Sequence, residues 1–347
     1  LKSNSLVKVA ILGCGSIGAE LDLSLLNYPY ALTHATAFGK NKNCQIVAFC
    51  DQNESRAKNA SARWIGSRSY INAAKMFVEN SIDLIVISTP SKVRLEIIEL
   101  ALSMGIKYFV IEKPLATTLE ESEKILDLLN TANAKSVVNF SRRWDYAVDE
   151  IRKYMYKDIG EIQRAIGFYG KGLINNGSHM IDLAANIFNS TPVKARGFNS
   201  PLSINESNWS NGYDQAIDAQ IVFSNDQQDE FSLNLISTDH TAFTYFNFQI
   251  FGSKGIYEYS NGGRDISFKP IVSDPNYLGY KIPGESEKKD TFLLSSFEMM
   301  AAEAIDIVLG KIEQSRCDAH CAYKTALTIE AIKKSMLLEG QWINLNS

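Results

Sequence analysis

Residues 7–20 read VKVAILGCGSIGAE: an apolar run, Val7 to Leu12, passes straight into Gly13, Cys14, Gly15, Ser16, Ile17 and Gly18. An apolar run of this length that stops on spaced glycines reads as a buried strand, a tight turn and the start of a helix. Gly13 permits the turn, Gly15 lets backbone approach a pyrophosphate, and Gly18 lets the helix pack on the sheet. The first amides of the helix then face phosphate oxygens. The reading is one of dinucleotide binding, and the strand in front of the glycines is the context that gives the pattern its meaning.

Working outward, further apolar runs cover residues 46–50, 82–87, 108–111 and 136–140. They end on Asp51, on Ser88, Thr89 and Pro90, and on Glu112, Lys113 and Pro114. Helical patterns lie between them, at residues 96–102 up to Gly105 and at residues 119–129 after Thr117 and Thr118. Strands alternating with helices predict a doubly wound parallel sheet of the α/β class, whose ligands sit beyond the carboxyl ends of the strands. Asp51 stands where an acid accepts hydrogen bonds from an adenosine ribose and repels a 2'-phosphate, which favours NAD over NADP. Its separation from Gly18 exceeds the usual spacing and calls for an insertion within residues 22–34, around Asn27, Tyr28 and Pro29.

After Trp144 the pattern changes to one helix followed by short strands at residues 162–169, 216–223, 230–236 and 246–251, with late helices at residues 292–309 and 323–338. This predicts an α+β second domain with a largely antiparallel sheet. The expected boundary is residues 1–140 against residues 141–347, with the late helices free to pack back on the first domain. Two domains suit a chain of 347 residues. A net charge of −4 gives no attraction for nucleic acid. No apolar run approaches the length of a membrane span, and Leu1 to Val7 is too short a run for a signal peptide. Five cysteines at unmatched spacings, with Cys317, His320 and Cys321 the only cluster, predict reduced thiols, no metal site and a cytoplasmic protein.

Two places carry candidate chemistry. Lys113 projects from the ligand edge of the sheet, where an ammonium polarises a hydroxyl or holds the nicotinamide side, with Pro114 fixing the turn. The run Gly172-Leu173-Ile174-Asn175-Asn176-Gly177-Ser178-His179 leads into a helix, and Asn175, His179 and Asp182 share one face of it. A histidine with an aspartate one turn away serves as a general base, as half a metal site, which the lack of a second histidine nearby argues against, or as a structural residue. Arg142 or Arg143 binds an acidic group or forms an interdomain salt bridge. Trp144, Trp209 and Tyr213 either stack on a sugar face or fill the core.

Taken together, the glycine turn, Asp51, Ser88-Thr89-Pro90, Glu112-Lys113-Pro114, Arg142-Arg143-Trp144 and the Gly177, His179, Asp182 helix resemble the glucose-fructose oxidoreductase/inositol dehydrogenase (Gfo/Idh/MocA) family. The resemblance implies an N-terminal Rossmann domain, a C-terminal open-faced sheet with substrate between the two, and homodimers or homotetramers. It implies NAD(P)-dependent hydride transfer on a sugar, cyclitol or nucleotide-sugar-like substrate, with Lys113 and His179 catalytic. Cofactor would be held by Gly13, Gly15, Ser16, Ile17, Gly18, Asp51, Ser88, Thr89, Pro90, Glu112 and Lys113. Substrate would meet Lys113, Arg143, Trp144, Asn175, Asn176 and His179. Two alternatives stand beside this: redox-neutral glycoside cleavage with bound NAD, which some relatives perform, and a non-catalytic dinucleotide-binding regulatory protein that keeps the fold. Two departures stand out: Asn175 replaces a common aspartate, so the imidazole lacks that charge, and Arg94 replaces a common histidine.

Overall fold

The computed structural model describes residues 6–23, 25, 28–200, 214–239, 241 and 243–345. Asn27, Trp209 and Tyr213 lie outside the described residues. The chain divides into two compact units, Leu1–Trp144 with Leu294–Tyr323, and Asp145–Leu293 with Lys324–Ser347.

The first unit is built on six parallel strands: β1 (Val7–Leu12), β2 (Cys44–Cys50), β3 (Arg68–Tyr70), β4 (Leu84–Ile87), β5 (Tyr108–Ile111) and β6 (Lys135–Val138), in the order β3-β2-β1-β4-β5-β6. Every residue of β4 is buried, as a strand covered on both faces requires. Helices α1 (His34–Gly39), α2 (Glu54–Ala62), α3 (Ala73–Glu79), α4 (Arg94–Ser103) and α5 (Leu119–Thr131) make the crossovers. Asn53, Asn72 and Thr118 cap α2, α3 and α5 by accepting a first-turn amide, so these helices start where a short polar side chain meets an apolar face.

Two local expectations need correction. The apolar runs predict five strands where the sheet has six, because β3 is three residues, Arg-Ser-Tyr, at the sheet edge and has no apolar run to betray it. The helix expected after Gly18 is only a five-residue π-type turn, Ser16–Glu20, in which Ala19 and Glu20 both donate to the Gly15 carbonyl. The chain from there to α1 is closed by Asp22, whose carboxylate accepts Leu32 N at 3.2 Å and Thr33 Oγ1 at 3.0 Å.

The second unit starts with α6 (Tyr146–Ile159), β7 (Ile162–Tyr169) and α7 (Ser178–Phe188). There follow β8 (Thr191–Asn199), β9 (Ile217–Ser224), β10 (Glu230–Ser237), β11 (Phe246–Gly252), β12 (Gly255–Ser260), β13 (Asp265–Ser273), β14 (Lys281–Pro283) and β15 (Glu287–Lys289). Helix α8 (Ser296–Val308) contributes Met300, Ala301, Ala304 and Ile305 to the core of the first unit. Helix α9 (Ala319–Leu337) and β16 (Ile343–Asn344) complete the chain. The sheet runs β14-β13-β12-β11-β7-β10-β9-β8-β16, with β15 on β13, and only the β7–β10 pair is parallel. Residues of α6, α7 and α9 join Phe223, Leu233, Leu235 and Phe248 in its core. On the opposite face a polar row crosses three strands: Arg196 Nε donates to Gln220 Oε1 at 2.8 Å, and Gln220 Nε2 to Asn234 Oδ1 at 2.8 Å.

Asp145 fastens the ends of this unit's long segment to each other. Its Oδ1 accepts Ala147 N, capping α6, and Phe292 N, while its Oδ2 accepts the hydroxyls of Tyr259 and Thr291. Burial pushes its carboxyl above the usual range against the pull of these donors. Asp145→Ala strips the cap and takes this acceptor from the buried Ala147 amide and Tyr259 hydroxyl, so unfolding in urea should show a loss of about 1–3 kcal/mol. A midpoint equal to wild type would show that Asp145 fastens nothing.

Candidate active site

The carboxyl edge of the six-stranded sheet gathers the sequence motifs. Gly13 sits at φ +87°, and a Cβ there would stand 2.7 Å from the Ser88 backbone. Gly18 approaches the same turn so closely that a Cβ would meet Gly13 O at 2.0 Å. At Gly15, by contrast, a Cβ would find no atom nearer than Arg56 Nη1 at 3.9 Å, which leaves open space for a group to approach the backbone. Ser88 Oγ donates to Gly13 O at 2.7 Å and Leu12 O at 3.0 Å, so the end of β4 holds the turn after β1.

Asp51 does more than the sequence suggests. Its Oδ2 accepts Cys14 N at 2.8 Å and its Oδ1 accepts Asn53 N at 2.8 Å, anchoring the glycine turn to the end of β2. Arg56, the cation beside Gly15, pairs with Glu20 at 3.1 Å. Ser16 is exposed and Ile17 half-buried on the turn.

Arg94 joins the two remaining strand ends. It is 3% exposed. Its Nε and Nη2 donate to Thr89 O at 3.1 and 2.9 Å, and its Nη1 donates to the carbonyls of Glu112 and Pro114 on either side of Lys113. Burial lowers its pKa to about 10, which leaves the guanidinium charged at neutral pH. Pro90 is exposed, Thr89 and Lys113 are half-buried, and the Lys113–Pro114 peptide is cis.

Behind Lys113 the Glu112 carboxylate is buried and accepts His34 Nε2 at 2.8 Å and Asn139 Nδ2 at 2.6 Å. Burial by itself would raise its pKa. The hydrogen bond and charge of His34, the Asn139 amide and the Arg94 charge outweigh that and hold it below the usual glutamate range. His34 is fully buried with the edge of Phe297 against it, ring centroids 5.2 Å apart. His34 and Asn139 escaped the sequence reading. Asn139 had a signal, since it is a polar residue at a strand end like Asp51 and Glu112; His34 had none beyond the capping Thr33 before it.

Two expected substrate residues read differently. Trp144 is 1% exposed in the core, with Nε1 donating to Glu303 Oε2 at 3.0 Å, so its ring is not presented to a sugar. The indole needs a buried acceptor, and Glu303, which also accepts Ser315 Oγ and Arg316 N, supplies it. Arg143 Nη1 donates to Arg316 O at 2.8 Å within the same unit.

In the second unit Asn175, Asn176 and His179 are all half-buried on one helical run, a π-type turn Leu173–Gly177 continuing into α7. Ser178 Oγ donates to Asn175 O at 3.2 Å, and Asp182 on the same helix is buried. Among the described residues no group of three or more His, Cys, Asp or Glu is arranged to hold a metal, and no helix is long and apolar enough to cross a membrane.

Residues 7–140 match the Gfo/Idh/MocA group, described as an oxidoreductase family with an NAD-binding Rossmann fold. Over those residues the chain is similar to that family. Curated relatives include levoglucosan dehydrogenase of Pseudarthrobacter phenanthrenivorans, 29% identical over 47% of this chain and 40% of that protein. Inositol 2-dehydrogenase of Salmonella typhimurium is 24% identical over 48% of this chain and 45% of that protein. The chain spans about half or less of the length of the curated relatives it matches. The fold likeness extends further: a levoglucosan dehydrogenase complexed with NADH and levoglucosan superposes with TM-score 0.74 at 18% identity, over 99% of this chain and all of that one. The myo-inositol 2-dehydrogenase of Lactobacillus plantarum gives 0.71 at 18% identity, over 99% and 100%. Residues beyond the 7–140 match thus share the fold of those proteins as well.

Because the Glu112 pKa is held low in the folded domain, its stabilisation is full above the unfolded glutamate pKa and is lost as pH falls through the folded value. Glu112→Gln should therefore cost about 1.5–3 kcal/mol at pH 7. The gap between the two proteins should close as unfolding is measured at successively more acid pH. A gap that stays constant with pH would mean that the charge on Glu112 contributes nothing.

Proposed function

We propose that the chain is an NAD-dependent dehydrogenase or reductase acting on a CH–OH or carbonyl carbon of a sugar, cyclitol or nucleotide-sugar-like substrate. The observation that carries this reading is the joined carboxyl edge of the parallel sheet, where open backbone at Gly15, the Asp51 carboxylate and the Arg94-held Lys113 turn belong to one strand-end array. The named dehydrogenases among the relatives support the substrate class.

The residues present fit a dinucleotide. Gly13, Gly15, Ser16, Ile17 and Gly18 would lie along its pyrophosphate, and Asp51, whose carboxylate has acceptor capacity beyond Cys14 N and Asn53 N, would take the ribose hydroxyls. Ser88, Thr89, Pro90 and Glu112 would line the approach to the nicotinamide. The bound cofactor supplies the hydride acceptor or donor, and the protein supplies orientation and proton handling. In oxidation the Lys113 ammonium holds the substrate hydroxyl oxygen and favours its negative charge as the proton leaves. The His179 imidazole takes that proton as general base. Asn175 and Asn176 hydrogen-bond neighbouring hydroxyls. In this reading the protein is a cytoplasmic homodimer or homotetramer, and its five cysteines at unmatched spacings suit a reducing compartment.

With Arg56 paired to Glu20, the carboxylate of Asp51 dominates at the ribose position. NAD(H) should bind more tightly than NADP(H) in a fluorescence titration, and Asp51→Ala should narrow the gap while weakening both. Tighter binding of NADP(H) to the unaltered protein overturns the cofactor assignment.

Lys113→Ala and His179→Ala should each lower kcat on a polyol or nucleotide-sugar substrate by about 100-fold or more, with NADH affinity changed far less. The screen follows nicotinamide absorbance, after native mass spectrometry for co-purified nucleotide and subunit number. Turnover within a few fold of wild type removes the altered residue from the mechanism.

A further inference from the structure

Position 175 carries an amide, yet a carboxylate reaches the same backbone from elsewhere in the chain. Asp214 is 4% exposed and stands just ahead of β9. Its Oδ1 accepts Ile174 N at 2.8 Å and its Oδ2 accepts Asn175 N at 2.8 Å, while the neighbouring Gln215 carbonyl accepts Leu173 N at 3.0 Å. Three successive amides at the start of the helical run are thus satisfied from one short stretch 39 or more residues downstream. A helix begins with amides that have no acceptor inside the helix, and a carboxylate is their strongest partner because it also meets the positive end of the helix dipole.

The surroundings are shaped for this contact. Gly172 has φ +85°, and a Cβ there would lie 2.2 Å from Asp214 Cγ, so only glycine admits the carboxylate. Tyr169, at the end of β7, fixes the other side: its hydroxyl donates to Ile217 O at 2.7 Å and accepts Ile217 N at 3.0 Å. Burial pushes the Tyr169 phenol far above its usual pKa, so the donor keeps its proton. Sheet, carboxylate and helix start form one rigid sequence of bonds ending four residues before His179.

We propose that Asp214 is the positioning residue of the Asn175–His179 segment, supplying from outside the helix the carboxylate that position 175 lacks. It acts through the backbone, setting where the half-buried Asn175 and His179 side chains are carried. This inference rests on the proposed use of His179 as base, and displacement of a reacting group by about 1 Å can cost on the order of 100-fold in rate.

The test compares Asp214→Asn, which keeps one acceptor oxygen and loses the charge, with Asp214→Ala, Gly172→Ala and the Gly172→Ala/Asp214→Ala double variant. Expected are a fall in kcat of about tenfold in Asp214→Asn and about 100-fold in Asp214→Ala, substrate KM moving less than threefold and NADH affinity unchanged. The double variant should be no worse than the poorer single one, because both break one contact. Hydrogen exchange, which needs no substrate, should show faster exchange at the amides of Ile174 and Asn175 in Asp214→Asn. Unchanged exchange at those amides, or kcat within twofold of wild type in both Asp214 variants, overturns the inference. Failure of the functional reading looks different: His179→Ala then turns over like wild type, while the amides still exchange faster in Asp214→Asn.

Discussion

The buried Arg94 guanidinium bonds to the carbonyls of Thr89, Glu112 and Pro114, and the ligand edge of the first unit depends on that arrangement. Backbone carbonyls at strand ends have left the ladder and need donors. A guanidinium is the one side chain with enough donors, in a fixed planar fork, to satisfy several at once. Since two of those carbonyls flank Lys113, the same bonds that satisfy buried polar groups also fix the turn from which the lysine projects. Position 94 is therefore a strong structural joint.

Within each unit, carboxylates divide the work of holding loops. Asp51 ties the glycine turn to β2, Glu112 binds His34 and Asn139 behind Lys113, Asp145 fastens the ends of the long second segment, and Asp214 caps the His179 helix. Each accepts from two or more donors, which is how the buried carboxylates of Glu112, Asp145 and Asp214 become tolerable. Each also links residues far apart in sequence, so these loops are pinned by long-range bonds. The proposed catalysis by orientation would require this: a loop held only by its own neighbours would not keep a side chain within a fraction of an ångström.

The sequence by itself determined the parallel sheet, the glycine turn, the polar strand ends and the helix bearing His179, because each follows from local rules of apolar period, turn chemistry and capping. It also determined that Gly13, Asp51, Ser88 and Lys113 lie along one edge, since alternating strands and helices put every strand's carboxyl end on the same side. Only the tertiary structure decided what each polar residue does there. Trp144 looked available to a sugar until Glu303, 159 residues away, was found to hold its indole in the core. Asn175 read as a missing charge until Asp214 appeared on its backbone, and His34 carried no signal until Glu112 gave it a partner. The physical reason is one of range: periodicity and turns are set by neighbours within a few residues, whereas a buried polar group is satisfied by whichever partner the fold brings to it.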